Sequence, residues 1–114
     1  MRTIEANLIP MARLEKAAGV MRVLAHPHRL RICELLMQGR VPVKAIAEHL
    51  KIPRNAASQH LNLMKAHGIL DCRRQGKAVF YEVVDPRPAW LLGCIRDHTT
   101  LTESPALIES QQME

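Results

Sequence analysis

A three-residue linker between two amphipathic segments constrains the fold of this chain more than any other feature of its sequence. Apolar side chains recur at helical spacing in residues 43–50, and Lys51, Ile52 and Pro53 then lead directly into a second helical pattern over residues 54–67. So short a linker keeps the two predicted helices in contact, and the apolar Ile52 can pack between them. The sequence therefore predicts two helices joined by a tight turn, which is the helix-turn-helix arrangement.

The second of these helices has one apolar and one polar face. Ala57, Leu61 and Met64 follow one another at intervals of four and three residues, which builds a single buried stripe. The other face carries amides and a hydroxyl but no carboxylate. Its members are Asn55, Ser58, Gln59 and Asn62. Such side chains suit base edges in the major groove of DNA, but a solvated surface helix would carry the same residues. This face alone leaves both interpretations open.

The sequence after this helix predicts a basic β-hairpin, or wing. Residues 70–74 and 78–84 have the composition of strands, and the second alternates its side chains between two faces. The tip between them, residues 73–77, is basic and contains Gly76 for the turn. Because residues 54–77 hold five basic side chains and one carboxylate, positive charge is concentrated where a recognition helix and a wing would face DNA.

Three further helical patterns flank this unit, over residues 11–25, about 28–38 and about 88–99. The chain is therefore expected to be mainly α with a two-stranded β wing, a winged helix-turn-helix. The first and last helices carry apolar stripes that so small a monomer could not fully bury, which favours a dimer. These stripes are Leu14, Ala18 and Met21 on the first helix and Trp90, Leu91 and Ile95 on the last.

The length and the charge of the chain indicate its domain organisation and the kind of partner that it binds. We expect one domain over residues 11–100, between a flexible arm at residues 1–10 and a disordered acidic tail at residues 101–114. The net charge of +5 is uneven, because residues 1–96 hold all 16 basic groups and only seven of the 11 acidic groups. A basic body of this kind suits a polyanionic partner.

Several function classes and compartments find no support in the sequence. It offers no glycine-rich phosphate loop, no paired carboxylates in an apolar setting and no nucleophile with a base, so an enzyme is not expected. The longest apolar run is far too short for a membrane span, and no secretory signal precedes the domain. The three cysteines lack CxxC spacing. We therefore expect a cytoplasmic protein without a membrane partner.

These features together resemble the ArsR family of bacterial winged helix-turn-helix repressors. The likeness lies in LAHPHRLRICELL (24–36), IAEHLKIPRNAASQHLNLMKAHGIL (46–70) and RRQGKAVFYEVVDP (73–86), and it covers roughly residues 12–97. The resemblance implies a homodimer built through the first and last helices. It also implies binding to double-stranded operator DNA, as an inverted repeat, and repression of transcription until an effector releases the protein.

The predicted DNA site combines the polar helix and the wing. We assign base edges to the helix amides and to Ser58, whereas the basic side chains are expected to contact phosphates or the minor groove. His60, beside the buried stripe, is expected to be packed or bonded to a phosphate. The full set is Arg54, Asn55, Ser58, Gln59, His60, Asn62, Lys65, Arg73, Arg74 and Lys77. An alternative keeps this fold as a module that docks a protein partner and binds DNA weakly and without specificity.

The effector stays open, because the chain departs from the metal-sensing patterns of the family. Pro42 and Lys44 stand where arsenite and cadmium sensors carry a Cys-x-Cys pair, and the last helix lacks the ligand spacing of zinc sensors. His26 and His28 flank a proline and the other histidines lie on different elements, so we expect no histidine cluster and assign no metal ligands. No cofactor is assigned, and a metal site between subunits stays an alternative.

Two further departures concern cysteines and the turn. Cys33 and Cys94 lie in the helices that hold the paired cysteines of persulfide-sensing relatives, although both are displaced from the usual positions. They are candidates for thiol sensing, against the alternative that Cys33 is a small buried hydrophobic residue. Lys51 replaces the glycine usual in the turn. A left-handed lysine would cost about 1–2 kcal/mol, so we expect the turn to be slightly remodelled.

Overall fold

The computed structural model describes residues 7–102, of which residues 99–102 are described only as helical backbone. Five helices and two strands follow one another in this part of the chain, which confirms the predicted mainly α fold with a two-stranded wing. In order they are α1 (Met11–Leu24), α2 (Pro27–Gln38), α3 (Val43–Leu50), α4 (Arg54–Ala66), β1 (Leu70–Gln75), β2 (Ala78–Val83) and α5 (Arg87–Thr102). Residues 103–114 of the predicted tail and residues 1–6 of the predicted arm lie outside the described residues. Residues 101 and 102, which were predicted to belong to the disordered tail, form the end of α5 instead. No helix within residues 7–102 is long and apolar enough to cross a membrane.

Helices α3 and α4 bury the apolar faces that their sequence periodicity predicts. Ile46 and Ala47 are the buried residues of α3, and α4 buries the whole stripe of Ala57, Leu61 and Met64. In the turn, Ile52 is half-buried and packs against this core. The arrangement confirms the helix-turn-helix and leaves the opposite face of α4 exposed.

The turn between α3 and α4 is not remodelled, so that expectation is wrong. Lys51 adopts the left-handed conformation, with φ 57° and ψ 44°. Its backbone N–H donates to the carbonyl of Glu48 (3.2 Å), and that of Ile52 donates to the carbonyl of Ala47 (3.1 Å). These are the two hydrogen bonds of a Schellman motif. Together with the packing of Ile52, they hold the lysine in a conformation that usually selects glycine.

We therefore expect Lys51→Gly to raise the free energy of unfolding. Removing the Cβ relieves about 1–2 kcal/mol of left-handed cost, and the added freedom of the unfolded chain offsets about 0.5–1 kcal/mol of it. The net gain, up to about 1.5 kcal/mol, is measured by urea denaturation at a fixed protomer concentration. The matched control is Lys16→Gly in the interior of α1, which should lose about 1 kcal/mol. A loss of stability in both variants would contradict the strain at Lys51.

The hairpin of β1 and β2 forms the predicted wing. The strands pair antiparallel along all six residues of each, from Leu70 opposite Val83 to the pair next to the tip. Gly76 (φ 61°) and Lys77 make the connecting two-residue turn. At the base of the hairpin Ile69 is fully buried, and its carbonyl accepts hydrogen bonds from the chain that leaves β2. The wing is thus anchored to the end of α4.

Helix α5 begins at Arg87, slightly earlier than predicted, because Asp85 caps it. The Asp85 carboxylate accepts a hydrogen bond from the backbone N–H of Arg87 (2.8 Å) and pairs with the guanidinium of the same residue (2.8 Å). These bonds from Arg87 lower the pKa of the Asp85 carboxyl, against the opposing effect of burial. The cap fixes the point at which the chain leaves the wing for α5.

The terminal helices each keep an apolar face in solvent, as the sequence predicts for a single protomer. Helix α1 buries Val20, Val23 and Leu24, whereas Leu14 is 42% exposed and Met21 is 37% exposed. Neither Val20 nor Val23 lies on the predicted stripe of Leu14, Ala18 and Met21. On α5, Leu92 is buried and Leu91 packs partly buried against the core, but Trp90 is 69% exposed and Ile95 is 44% exposed.

Candidate nucleic-acid interface

The solvent face of α4 presents the side chains predicted to contact base edges. Asn55, Gln59 and Asn62 are exposed and Ser58 is half-buried, on the side away from the stripe that packs into the core. Because the helix contains no carboxylate, nothing on this face repels a phosphate backbone. The face can therefore enter a groove of DNA and exchange donors and acceptors with it.

Asn62 is linked to the wing by a hydrogen bond. The hydroxyl of Tyr81 on β2 donates to Oδ1 of Asn62 at 3.4 Å. Partial burial raises the pKa of Tyr81, with a further contribution from Cys72, so the phenol keeps the proton that it donates. The exposed Asn62 side chain keeps its NH2 group as a hydrogen-bond donor. The contact also places the wing beside the polar face of α4.

The basic side chains of the site fall into two groups. Four are exposed and have no ion-pair or hydrogen-bond partner among residues 7–102, so their full charge is available to phosphates. They are Arg54, Lys65, Arg74 and Lys77. Arg73, by contrast, is paired with Glu82 on the neighbouring strand, and this hydrogen bond raises the pKa of its guanidinium. The paired carboxylate offsets the charge that Arg73 could offer to DNA.

Arg40, in the loop before α3, adds a cation that the sequence analysis missed. Its guanidinium donates to Oε1 of Gln75 (2.6 Å) and lies 5.5 Å from the centre of the Phe80 ring. With Arg74 it lines a depression of about 430 Å³ on the wing. The loop position of Arg40 gave no sequence signal, because only the folded hairpin brings it to the wing.

His60 contacts protein groups in this structure. Its Nδ1 accepts a hydrogen bond from Nε of Arg29 (3.1 Å), and the Arg29 guanidinium also donates to the carbonyl of Val23 (3.0 Å). Arg29 thus joins the end of α1 to the middle of α4. Burial lowers the pKa of His60, and the neighbouring His26, Arg29 and His28 lower it further.

The expectation that the histidines would not cluster is wrong. The rings of His26, His28 and His60 lie together, with centroids 4.7–5.9 Å apart. One ligand nitrogen from each lies within 4.8 Å of the others, and all three side chains are half-buried. The chain order conceals this, because the junction of α1 and α2 reaches α4 only through tertiary packing.

The two cysteines proposed for thiol sensing have very different surroundings. Cys33 is fully buried in the core, whereas Cys94 is exposed on α5. Burial, with a contribution from the nearby Asp85, raises the pKa of the Cys33 thiol to about 12. Since the thiolate is the reactive form, this environment suppresses reaction at Cys33.

We therefore expect Cys33 to resist alkylation in the native protein. The raised pKa alone reduces its thiolate fraction by roughly 1,000-fold near pH 8, and burial excludes the reagent as well. The measurement is the maleimide labelling rate of a Cys72→Ser/Cys94→Ser variant, compared with and without denaturing urea. Native and denatured rates within about tenfold of one another would show a reactive Cys33, as thiol sensing requires.

Comparison with known proteins gives relatives that match most of the chain. The family described as "Helix-turn-helix domain" matches residues 24–73. A helix-turn-helix transcriptional regulator of Methanocaldococcus jannaschii is 40% identical over 78 residues, which are 68% of this chain and 88% of the relative. The biofilm growth-associated repressor of Agrobacterium fabrum is 32% identical over 95 residues, or 80% of this chain and 81% of the relative.

A solved structure extends the likeness to the fold. It is the homodimeric winged helix-turn-helix DNA-binding domain of a possible ArsR-family transcriptional regulator from Mycobacterium bovis. The two chains superpose with a TM-score of 0.71 at 28% identity, and the match covers 91% of this chain and 94% of the other. The similarity includes α1 and α5 as well as the helix-turn-helix, since it spans nearly the whole length of both chains.

Proposed function

The chain belongs to the ArsR family of winged helix-turn-helix transcriptional repressors, and we propose that it binds an inverted-repeat operator as a homodimer and releases it in response to an effector. The observation that carries the proposal is the exposed, carboxylate-free polar face of α4 beside the basic wing. Two such faces related by a two-fold axis fit two half-sites of a pseudo-palindromic operator.

Different side chains are proposed to provide the specificity and the affinity of DNA binding. The exposed amides of Asn55, Gln59 and Asn62 suit direct contact with base edges in the major groove. The unpaired cations at the start of α4 and on the wing suit phosphates, where they contribute salt-dependent affinity without specificity. Arg73 contributes less than Arg74 or Lys77, because Glu82 already pairs with it.

The dimer is proposed to form through α1 and α5. Both helices expose large apolar side chains, with Leu14 and Met21 on α1 and Trp90 and Ile95 on α5. Contact of these side chains with a matching apolar surface is favoured over their contact with water. The homodimeric state of the Mycobacterium bovis domain, which resembles this chain over nearly its whole length, supports the same assembly here.

Release is proposed to depend on a site other than the Cys33 thiol, whose thiolate form is suppressed. A depression of about 470 Å³ lies between α2 and α5 and is lined in part by Leu30, Leu92 and Ile95. It adjoins the apolar face proposed for the dimer contact. A small molecule bound there would alter the angle between α5 and the rest of the protomer, and with it the spacing of the two α4 helices.

The test is a binding competition at physiological salt. DNA from the promoter of the protein's own operon, and duplexes enriched by the protein from a randomised pool, are compared with random DNA of equal length. The proposal expects an inverted repeat to be enriched and to bind at least about 10³-fold more tightly than random DNA. If no sequence is enriched and all duplexes bind equally, specific operator binding is ruled out and the fold serves as a protein-interaction module.

A further inference from the structure

We infer that His26, His28 and His60 form a binding site for a transition-metal ion of the Zn²⁺ type within a single protomer. The site joins the start of α2 to the middle of α4, because His26 precedes α2, His28 lies in its first turn and His60 lies on α4. The inference concerns metal binding itself and holds whether or not the protein binds an operator.

The spacing of the three rings matches a metal centre closely. Their centroids are 4.7 Å (His26 to His60), 5.4 Å (His26 to His28) and 5.9 Å (His28 to His60) apart. In a tetrahedral site with nitrogens about 2.0–2.1 Å from the ion, neighbouring imidazole centroids lie about 5 Å apart. The ligand nitrogens are now within 4.8 Å of one another. A shift of about 1 Å at the nitrogens would complete the geometry.

The donor chemistry restricts the ion. Three imidazoles suit zinc, copper, nickel and cobalt, whereas magnesium and calcium select oxygen ligands. Three protein ligands also leave a fourth position for water or for a small ligand. The half-buried position of all three side chains gives an ion access from solvent while holding the rings in place.

Binding would replace two hydrogen bonds that the rings now accept. Nδ1 of His26 accepts from the backbone N–H of His28 (3.1 Å), and Nδ1 of His60 accepts from Nε of Arg29 (3.1 Å). A neutral imidazole that accepts at Nδ1 carries its proton on Nε2. His26 and His60 can therefore each offer a lone pair to a metal in one of two ways. The ring either gives up the hydrogen bond at Nδ1, or moves its proton from Nε2 to Nδ1 and binds the metal through Nε2. Either change ends the contact between Arg29 and His60.

The site thus exchanges one link between α2 and α4 for another. Without metal, Arg29 holds His60 directly; with metal, the ion holds His60 to His26 and His28. His60 adjoins Gln59 on the proposed base-reading face, so loading the site acts on the segment of α4 that faces DNA. If the proposed operator binding is correct, metal and operator change each other's affinity by the same factor.

The test is calorimetric titration of the metal-free full chain with Zn²⁺ at neutral pH, in the absence of DNA. We expect one ion per protomer, and a loss of affinity of more than about tenfold in both His28→Gln and His60→Gln. His49→Gln and Cys72→Ser/Cys94→Ser serve as matched controls and should bind as the parent chain does. Melting of each metal-free variant checks its fold, and His28→Gln is the safer variant because its ring accepts none of the replaced bonds.

The Zn²⁺ titration and the DNA competition test metal binding and operator binding separately. Stoichiometric binding that survives both histidine substitutions, or that is lost in a control, overturns the site. Absence of binding at Zn²⁺ concentrations of about 0.1 mM also overturns it, because specific protein sites for zinc are far tighter. A site that binds Zn²⁺ as expected in a protein that selects no DNA sequence would leave this inference standing and overturn only the operator proposal.

Discussion

The double variant Trp90→Asp/Ile95→Asp is expected to be a folded monomer that binds the operator at least about 100-fold more weakly than the parent chain. Trp90 is 69% exposed and Ile95 is 44% exposed in the protomer, and neither belongs to the buried core, so their replacement leaves that core intact. In the proposed dimer, each carboxylate would be buried in an apolar contact at a cost of several kcal/mol. In a dimer, binding at the first half-site holds the second protomer near its own half-site at an effective concentration of about millimolar. The monomer loses this advantage.

Sedimentation velocity and operator binding are measured together for this variant. The matched control is Met37→Asp, which changes a similarly exposed apolar side chain (46%) on α2, outside the two helices proposed to form the dimer contact. It should remain a dimer with nearly parental affinity. A double variant that sediments as an unchanged dimer would place the interface elsewhere, and an unfolded one would show that Trp90 or Ile95 supports the protomer itself.

The second large effect is expected at Gln59, which lies exposed in the middle of α4. A side-chain amide there can form two hydrogen bonds with a base edge, so Gln59→Ala should cost about 1–3 kcal/mol per half-site on the cognate operator. On random DNA the loss should be much smaller, because no base is matched there. The effect is a loss of specificity, measured as the ratio of the two dissociation constants.

Lys77 provides the matched comparison, because a flexible ammonium at the tip of the wing neutralises phosphates without reading bases. Lys77→Ala should weaken cognate and random DNA about equally and lower the slope of log K against log salt by roughly one unit per protomer. Salt titrations of both variants on both DNAs make the comparison. If Gln59→Ala weakens the two DNAs by the same factor, α4 does not read sequence.

The elements of the site that depend on local pattern could be predicted from the sequence. The stripe of Ala57, Leu61 and Met64 follows from helical periodicity, and the wing follows from a basic turn with a glycine between alternating segments. Lys51 shows the limit of local reasoning. The sequence predicts the left-handed cost of this lysine but not the two backbone hydrogen bonds that hold the turn in place.

Features that depend on tertiary packing could not be predicted. On α1, apolar side chains occur on more than one face, so periodicity could not tell that Val20 and Val23 enter the core while Leu14 and Met21 stay exposed. The histidine cluster joins His60 to the tripeptide His26-Pro27-His28, more than 30 residues earlier in the chain. The contact of Arg40 with Phe80 likewise requires the folded hairpin.

The most direct test of the central claim, that two α4 helices read the major groove from one dimer, is dimethyl sulfate footprinting of guanine N7 on the enriched operator. N7 lies in the major groove, so a base-reading helix protects it. We expect two protected segments on one face of the duplex, separated by one helical turn of about 10–10.5 base pairs or a multiple of it. Binding that protects the sugar–phosphate backbone but leaves every guanine N7 reactive would contradict the claim.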